Sequence, residues 1–285
     1  MSDLAISRTW LFVPGDRPER FDKAAASGAD VVIVDLEDAV APERKGVARV
    51  AVREALERGA RIAVRINATD TAHGDADLEM LSSAPLAPLA IIVAKAETAD
   101  GLARVATVGV PLVPLVESAR GLAAVAELAH APSVIRLAFG AVDFTLDIGS
   151  AMDDELLAHA RFQLVVASRA AGIAAPLDSP TLALRDENLI EQSVRAGRRY
   201  GMGGKLCIHP AQVAIVARAF APTADEIEHA RELVAAAEND GAAARDGSLV
   251  DRPVLEKARR VLMDASIDSD RNRPWPLPAD IARTE

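Results

Sequence analysis

Charged side chains end or interrupt five apolar runs of this chain, and their types suit chemistry. They are Asp35 and Glu37 after VVIV, Arg65 inside IAVRIN, Lys95 after LAIIVA, Glu117 after VPLVPLV and Asp143 after VIRLAFGAV. Clustered carboxylates repel one another unless a cation lies among them, either a metal ion or the side chain of an Arg or Lys. The pattern therefore predicts a site where carboxylates, basic side chains and a divalent cation meet.

Magnesium is the metal that this set favours. Glu117 and Asp143 are hard oxygen ligands that leave positions for water and substrate, as a Mg²⁺ site requires. Zinc is disfavoured because Cys207 and His209 stand alone, without a Cys/His cluster. Plainer interpretations stay open, because Glu117 directly precedes Ser118, the predicted N-cap of a helix, and Asp143 could close a loop turn.

Arg65 and Lys95 each allow two interpretations. The fork of an Arg side chain suits a substrate carboxylate or carbonyl, but Arg65 could equally form a structural ion pair with Asp35 or Glu37. Lys95 either takes part in catalysis or neutralises the carboxylates that follow the second strand. For Asp35 and Glu37, the alternative to a shared site is an ordinary solvated strand end.

Eight short strands alternate with helical segments and would position these side chains. The strands are predicted over residues 9–14, 30–35, 61–66, 89–94, 110–116, 134–139, 173–177 and 205–208, and the clearest helices over 18–27, 42–58, 118–130, 153–171 and 188–200. This alternation implies a parallel sheet covered by helices, which is either a (β/α)₈ TIM barrel or an open doubly wound sheet. The barrel is favoured because the first turn, Val13-Pro-Gly-Asp-Arg17, lacks the G-x-G-x-x-G pattern and because polar residues recur at the carboxyl ends of strands.

Residues 222–285 exceed what a barrel needs, so we predict a catalytic barrel over residues 1–221 and a separate C-terminal segment. Thr223-Ala-Asp-Glu226 has the sequence of a capping box and should open a helix. Asp246-Gly247 is typical of a tight hairpin turn, and Pro253 should open a second helix. A helix–hairpin–helix of this kind is expected to serve as a lid or an oligomerisation arm.

Composition limits the remaining functions. The 285 residues include 32 Lys and Arg against 42 Asp and Glu, and the net charge of −10 disfavours general binding to nucleic acid or to an anionic membrane. The single cysteine excludes a disulfide framework. Residues 1–9 lack the apolar core of a signal peptide, and no apolar run is long enough to span a bilayer. We therefore expect a cytoplasmic protein.

Six segments of the sequence resemble the citrate lyase beta subunit-like family, within the HpcH/HpaI aldolase superfamily. They are LFVPG at 11–15, GADVVIVDLEDAV at 28–40, VRIN at 64–67, LVES at 115–118, FGAVD at 139–143 and GKLCIHP at 204–210. The resemblance implies a Mg²⁺-dependent carbon–carbon lyase with a barrel fold. Its substrate would be a β-hydroxyacyl thioester of coenzyme A or an acyl-carrier protein, of the citryl, malyl or citramalyl type, and its products an acyl thioester and a 2-oxo acid.

The resemblance also implies roles for individual residues. Glu117 and Asp143 match metal ligands, with Glu117 beside the substrate, and Arg65 matches the residue that holds the oxo acid and polarises the thioester carbonyl. A supporting polar shell of further catalytic candidates matches Asp35, Glu37 and Lys95. We expect the phosphates of coenzyme A near the mouth of the barrel, at Arg17, Arg20 and Lys45.

Asp251, in the segment DGSLVDRP, matches an Asp that a lid from the adjacent subunit supplies. The resemblance thus implies a homotrimer or hexamer whose lids are exchanged between subunits, and possible membership of a citrate lyase complex. The alternative for Asp251 is local, because an Asp before Arg252-Pro253 can cap the following helix. For the whole chain, the alternatives are a class II aldolase acting on free 2-oxo acids, a thioester hydrolase and a noncatalytic barrel subunit.

Overall fold

The computed structural model describes residues 3–240, 244–245, 248–249 and 251–271, and its first part is a closed barrel of eight parallel strands. The strands are β1 (Thr9–Pro14), β2 (Val31–Asp35), β3 (Ala63–Ile66), β4 (Ile91–Val93), β5 (Leu112–Val116), β6 (Arg136–Phe139), β7 (Ala174–Asp178) and β8 (Gly204–Cys207). β1 pairs with β2 on one side and with β8 on the other, so the sheet has no edge. The predicted barrel is confirmed, and the open doubly wound sheet is excluded.

Helices follow the strands and cover the barrel. They are α1 (Asp3–Ile6), α2 (Phe21–Ala25), α3 (Lys45–Glu57), α4 (Ala72–Ser82), α5 (Ala99–Ala106), α6 (Ala119–Ala123), α7 (Val125–His130), α8 (Ala141–Asp147), α9 (Asp154–Ala170), α10 (Glu187–Tyr200) and α11 (Pro210–Phe220). Short 3-10 turns at Pro18–Arg20 and Pro42–Arg44 precede α2 and α3. Among all helices of the described ranges, none is both long and apolar enough to cross a bilayer.

Helices α4 and α5 are not among the clearest helical segments of the sequence, and each has a glycine near its start. These glycines allow close contacts. A Cβ at Gly74 would stand 2.2 Å from the carbonyl oxygen of Ala68, and one at Gly101 would stand 2.7 Å from Thr69 Oγ1. The glycines therefore let the two helices pack tightly against the segment that follows β3.

Side chains on the strands alternate between the lumen of the barrel and the layer of helices. The lumen is filled by a buried cluster that includes Trp10, Ile33, Leu115 and Leu206. A second and larger cluster lies between strands and helices and includes Cys207, whose thiol pKa is raised by burial to about 12. Each large apolar side chain that is fully buried contributes roughly 1.5–3 kcal/mol, so the two clusters hold the strand ends firmly in place.

The described residues after Phe220 belong to a second compact unit. It contains α12 (Ala224–Asp240), the short antiparallel strands β9 (Ala244–Arg245) and β10 (Ser248–Leu249), and α13 (Arg252–Arg271). The capping box is present, because the Thr223 N–H donates to Glu226 Oε2 at 2.8 Å and the Glu226 N–H donates to Thr223 Oγ1 at 3.1 Å. The Asp246-Gly247 turn lies outside the described residues, and the use of this unit as a lid stays a prediction.

Candidate active site

Arg65 and Asp35 form the centre of the site. They are register partners on β3 and β2, and both face the mouth of the lumen because the residues two positions earlier belong to the lumen cluster. Arg65 Nε and Nη2 donate to Asp35 Oδ1 and Oδ2, each at 2.6 Å. Asp35 also accepts the backbone N–H groups of Glu37 and Ala39, at 2.9 and 3.0 Å. The two side chains therefore form a bidentate, buried ion pair in which each Asp35 oxygen accepts two hydrogen bonds.

Glu37 joins this pair to Lys95. Arg65 Nη1 lies 3.1 Å from Glu37 Oε2, and Lys95 Nζ lies 3.1 Å from Glu37 Oε1. Burial raises the pKa of Glu37 while Arg65 lowers it, and Asp38 raises it further. Burial lowers the pKa of Arg65, but Asp35 and Glu37 raise it by more, so the guanidinium stays charged. The ion pairs that were one alternative for Arg65 and Lys95 are present, and Arg65 keeps its charge within them.

Glu117 directly follows β5 and is only 2% exposed. Its Oε1 accepts the backbone N–H of Lys95 at 2.7 Å. Burial raises the pKa of Glu117 to about 8, against the opposing charge of Arg65, and the negative charges of Glu37 and Asp143 raise it further. Asp143 lies in the first turn of α8 rather than in a loop, and it is half-buried within electrostatic range of Glu117.

The donor set of Glu117 and Asp143 fits a hard divalent cation. Mg²⁺ is commonly held by one or two carboxylates, with waters and substrate in its remaining positions. Across the residues that the structure describes, no group of three or more His, Cys, Asp or Glu is placed to hold a metal ion, so protein side chains alone would not complete its coordination. A cation would also stabilise the buried Glu117 carboxylate, whose raised pKa reflects the cost of its charge. The residues present therefore suit Mg²⁺ with open positions rather than a closed structural metal.

Gly140 fixes where the Glu117 carboxylate lies. The N–H of Gly140 donates to the carbonyl oxygen of Val116 at 2.9 Å, which brings the backbone after β6 against Glu117. A Cβ at this glycine would stand 2.6 Å from Glu117 Oε2 and 2.7 Å from Glu117 Cβ. Only a hydrogen fits in this space, so any larger residue must displace the Glu117 side chain.

We expect Gly140→Ala to weaken Mg²⁺ binding by roughly 10- to 100-fold, the range for residues that orient a metal ligand. Calorimetric titration of the purified protein with Mg²⁺ measures this. Gly46→Ala is the matched control, because its added Cβ meets no atom within 4 Å and lies in helix α3. It should leave Mg²⁺ affinity unchanged. Unchanged affinity in a folded Gly140→Ala protein would contradict the assignment.

The three basic residues expected to bind coenzyme A are placed differently from one another. Lys45 is buried, and its Nζ donates to the carbonyl oxygens of Leu36 and Glu37 at 2.8 and 2.9 Å. This ammonium is committed to the loop after β2, which argues against a role in phosphate binding. Arg17 and Arg20 follow β1 with exposed side chains, and within the described ranges neither has an acidic partner.

Asp251 belongs to the second unit and caps α13, as its local alternative predicts. Its Oδ1 accepts the N–H of Val254 at 3.2 Å, and its carbonyl oxygen accepts the N–H of Leu255 at 3.1 Å. A carboxylate has two oxygens, so capping occupies only part of its hydrogen-bonding capacity. The catalytic role of Asp251 stays a prediction.

Two features of the site escape the sequence analysis. The guanidinium carbon of Arg65 lies 4.7 Å from the ring centroid of Phe12, a cation–π contact that holds the plane of the guanidinium. The sequence could have indicated Phe12, because it lies two residues after Trp10 on β1 and so faces the lumen as Trp10 does. The other feature is the left-handed backbone of Lys95, with φ +48°, and no residue type in the sequence marks it.

The model of the HpcH/HpaI aldolase/citrate lyase family matches residues 8–210, from the residue before β1 to the first residue of α11. The chain belongs to this family. The HpcH/HpaI assignment confirms the resemblance that the six motifs indicate, and the matched range includes all eight barrel strands.

Relatives of this HpcH/HpaI family member cover nearly its whole length. A citrate lyase subunit beta-like protein of Mycobacterium tuberculosis is 38% identical over 264 residues, which cover 90% of this chain and 94% of that protein. A (3S)-malyl-CoA thioesterase of Cereibacter sphaeroides is 35% identical over 271 residues, which cover 90% of this chain and 94% of that protein. The crystal structure of protein CitE from M. tuberculosis with magnesium, acetoacetate and coenzyme A matches with a TM-score of 0.83 and 36% identity, covering 92% and 99% of the two chains. These similarities support an enzyme of a CoA-ester lyase family.

Proposed function

We propose that this chain is a Mg²⁺-dependent lyase that cleaves a β-hydroxyacyl thioester to an acyl thioester and a 2-oxo acid. The observation that carries the proposal is the buried network at the mouth of the barrel, where Arg65 pairs with Asp35 and Glu37 while the Lys95 N–H donates to the buried Glu117. Asp143 lies half-buried in the first turn of α8. Such a cleavage needs an electrophile for the thioester oxygen, a cation for the forming oxo acid and a base for the hydroxyl group. Arg65 would supply the electrophile, and Glu117 and Asp143 would hold the cation.

Arg65 is assigned to the thioester carbonyl and the oxo acid. Asp35 and Glu37 use three of its five N–H groups, so two remain for a ligand. The bidentate contact with Asp35 and the ring of Phe12 fix the guanidinium before substrate arrives. A donor that is already oriented stabilises negative charge developing on the thioester oxygen without reorganisation during the reaction.

Glu117 and Asp143 are assigned to Mg²⁺. When bound, the ion would supply a Lewis acid that stabilises the negative charge of the forming 2-oxo acid. The N–H of Lys95 and the close backbone of Gly140 hold the Glu117 carboxylate for this purpose. The CitE structure that contains magnesium, acetoacetate and coenzyme A supports Mg²⁺ as the metal by similarity.

Arg17 and Arg20 are assigned to the phosphates of coenzyme A. Both are exposed and follow the carboxyl end of β1, the end of the barrel at which Asp35 and Glu117 also lie. Charge-assisted hydrogen bonds from guanidinium groups suit phosphate oxygens. The same residues would meet the phosphopantetheine arm if the thioester is carried by an acyl-carrier protein.

The base is assigned to Asp251 from an adjacent subunit, in a homotrimer or hexamer with exchanged lids. We expect that Asp251→Asn and Arg65→Ala proteins, each inactive alone, regain activity when mixed. Random exchange pairs an intact barrel with an intact lid at about a quarter of the sites, so about a quarter of wild-type activity should return. Absence of rescue, with subunit exchange verified by mass spectrometry, would count against a shared site.

A panel of thioesters tests the proposed reaction. Purified protein and Mg²⁺ are incubated with citryl, malyl, citramalyl and methylmalyl thioesters, and oxaloacetate, glyoxylate and pyruvate are measured. Formation of one of these oxo acids is expected from at least one thioester. Turnover of the free hydroxy acids alone would instead indicate the class II aldolase.

A thioester hydrolase is the second candidate, favoured by the relative named (3S)-malyl-CoA thioesterase. Hydrolysis would release the free thiol and the intact hydroxy acid, without a 2-oxo acid. Both outcomes can be separated in the same panel, because a thiol reagent detects hydrolysis and a keto-acid reagent detects cleavage.

A further inference from the structure

Lys95 has an unusual backbone for its residue type. Strand β4 ends at Val93, and two residues later Lys95 has φ +48°, in the left-handed region that L-residues other than Gly, Asn and Asp rarely adopt. Among the residues that the structure describes, Ser133 is the only other non-glycine with positive φ. Backbone strain of this kind persists only where surrounding contacts impose it, so the contacts of Lys95 must hold it in this conformation.

The left-handed residue shifts the hydrogen-bond ladder between β4 and β5 by one position. The N–H of Ile91 donates to the carbonyl oxygen of Pro111. A regular parallel ladder repeats every two residues on both strands, so it would bring the N–H of Lys95 to the carbonyl oxygen of Leu115. Instead, the N–H of Ala96 donates to Leu115, at 3.1 Å. One extra residue in one strand is a β-bulge, and it releases the Lys95 N–H from the sheet.

The released N–H donates to Glu117 Oε1 at 2.7 Å. The bulge also redirects the Lys95 side chain. Ile91 and Val93 belong to the cluster between barrel and helices, so regular alternation would point Lys95 away from the mouth. Its Nζ instead reaches Glu37 Oε1 at 3.1 Å. Lys95 therefore does not share the face of Ile91 and Val93 that regular alternation predicts for it, and the bulge is the reason.

We infer that Lys95 is a positioning residue whose backbone, rather than its charge, sets the Glu117 carboxylate for the divalent cation. A left-handed residue at this position aims one N–H at Oε1, while Gly140 closes the space beside Oε2. The carboxylate is thus held from two sides by main-chain atoms of the segments after β4 and after β6. The inference rests on the proposed function, because it takes Glu117 as a ligand of Mg²⁺.

Four substitutions of Lys95 separate the backbone from the charge. Lys95→Gly and Lys95→Asn accept the left-handed conformation, Lys95→Ala accepts it less well, and Lys95→Val opposes it. All four remove the ammonium. Mg²⁺ affinity is measured calorimetrically on the purified full chain without substrate, and Mn²⁺ binding is followed by electron paramagnetic resonance.

We expect the Lys95→Gly and Lys95→Asn proteins to bind Mg²⁺ within about 3-fold of the wild-type affinity and Lys95→Val to bind it at least about 10-fold more weakly, as for other loss of ligand orientation. Equal shifts in Lys95→Gly, Lys95→Asn and Lys95→Val would mean that the ammonium decides Mg²⁺ affinity, and would overturn the inference. A lower melting temperature for Lys95→Val with unchanged Mg²⁺ affinity of the folded protein would also overturn it, because that is the result of a merely structural role. If Lys95→Val does not fold, the comparison of Lys95→Ala with Lys95→Gly decides in the same way.

The wild-type titration distinguishes the two proposals. Failure of the wild-type protein to bind either ion would overturn the proposed metal site and, with it, the role of Lys95. Wild-type binding that Glu117→Gln weakens, together with equal shifts in the Lys95 variants, would leave the metal site standing and overturn only the inference about the bulge.

Discussion

Glu117→Gln is expected to lower Mg²⁺-dependent cleavage by at least about 10²- to 10³-fold, the scale for removing a group that stabilises developing charge. Gln has the size of Glu but no negative charge, and Mg²⁺ prefers anionic oxygen ligands. The side chain is buried between the Lys95 N–H and Gly140, so a residue of the same shape should keep the packing. The measurement is the rate of thioester consumption over a series of Mg²⁺ concentrations.

Folding of Glu117→Gln is checked by melting curves in EDTA at several pH values. Burial raises the pKa of Glu117 to about 8 from an ordinary 4.5, so between these values the folded chain keeps a proton that the unfolded chain releases. The contribution of Glu117 therefore makes the metal-free wild-type protein less stable as the pH rises through this window. Gln cannot ionise, so the variant should show a smaller decline.

An exposed glutamate supplies the control for both assays. Glu54→Gln, on the outer face of α3, should match the wild type in activity and in the pH dependence of melting. Mg²⁺-dependent cleavage at a wild-type rate by Glu117→Gln would contradict the assignment of Glu117 as a metal ligand.

Arg65→Lys is expected to lower kcat by on the order of 10²- to 10³-fold, although it keeps the positive charge. An ammonium cannot reproduce the planar fork that meets both oxygens of Asp35 while facing Glu37 and a ligand. The orientation of the cation relative to the thioester oxygen is therefore lost. Steady-state kinetics on the reactive thioester give kcat and KM for the variant.

Arg53→Lys is the matched control for Arg65→Lys. Arg53 lies on α3 in a solvent-exposed ion pair with Glu57, which contributes little to stability. The control should keep kcat within about 2-fold of the wild type, and circular dichroism should show that both variants are folded at the assay temperature. A kcat for Arg65→Lys as high as that of the control would contradict the need for a guanidinium.

Regular strand geometry explains what the sequence predicts well. Asp35 and Arg65 stand at the ends of apolar strands, and the face of a side chain in a regular strand follows from its position alone. The sequence therefore allows an ion pair between them, and the register of β2 and β3 brings them opposite each other. The alternation of eight short strands with helical segments predicts the barrel, and the resemblance to the family implies the same fold.

The sequence predicts less where one residue departs from the regular geometry. Nothing in the residue type of Lys95 signals a left-handed bulge, so regular alternation predicts the wrong face for its side chain. The need for Gly140 depends on Glu117, which follows another strand and meets it only in the folded barrel. The position of Lys45 in the chain predicts a place near the mouth, but its side chain turns inward to the backbone of the preceding loop.

Product stoichiometry with and without Mg²⁺ tests the proposed reaction most directly. The purified protein is incubated with the thioester that reacts in the panel, first with Mg²⁺ and then with excess EDTA, and all products are quantified by mass spectrometry. The proposed lyase should release one 2-oxo acid and one shorter acyl thioester for each substrate consumed, and EDTA should stop the reaction. Release of free thiol with an intact hydroxy acid, or cleavage that continues in EDTA, would contradict a Mg²⁺-dependent carbon–carbon lyase.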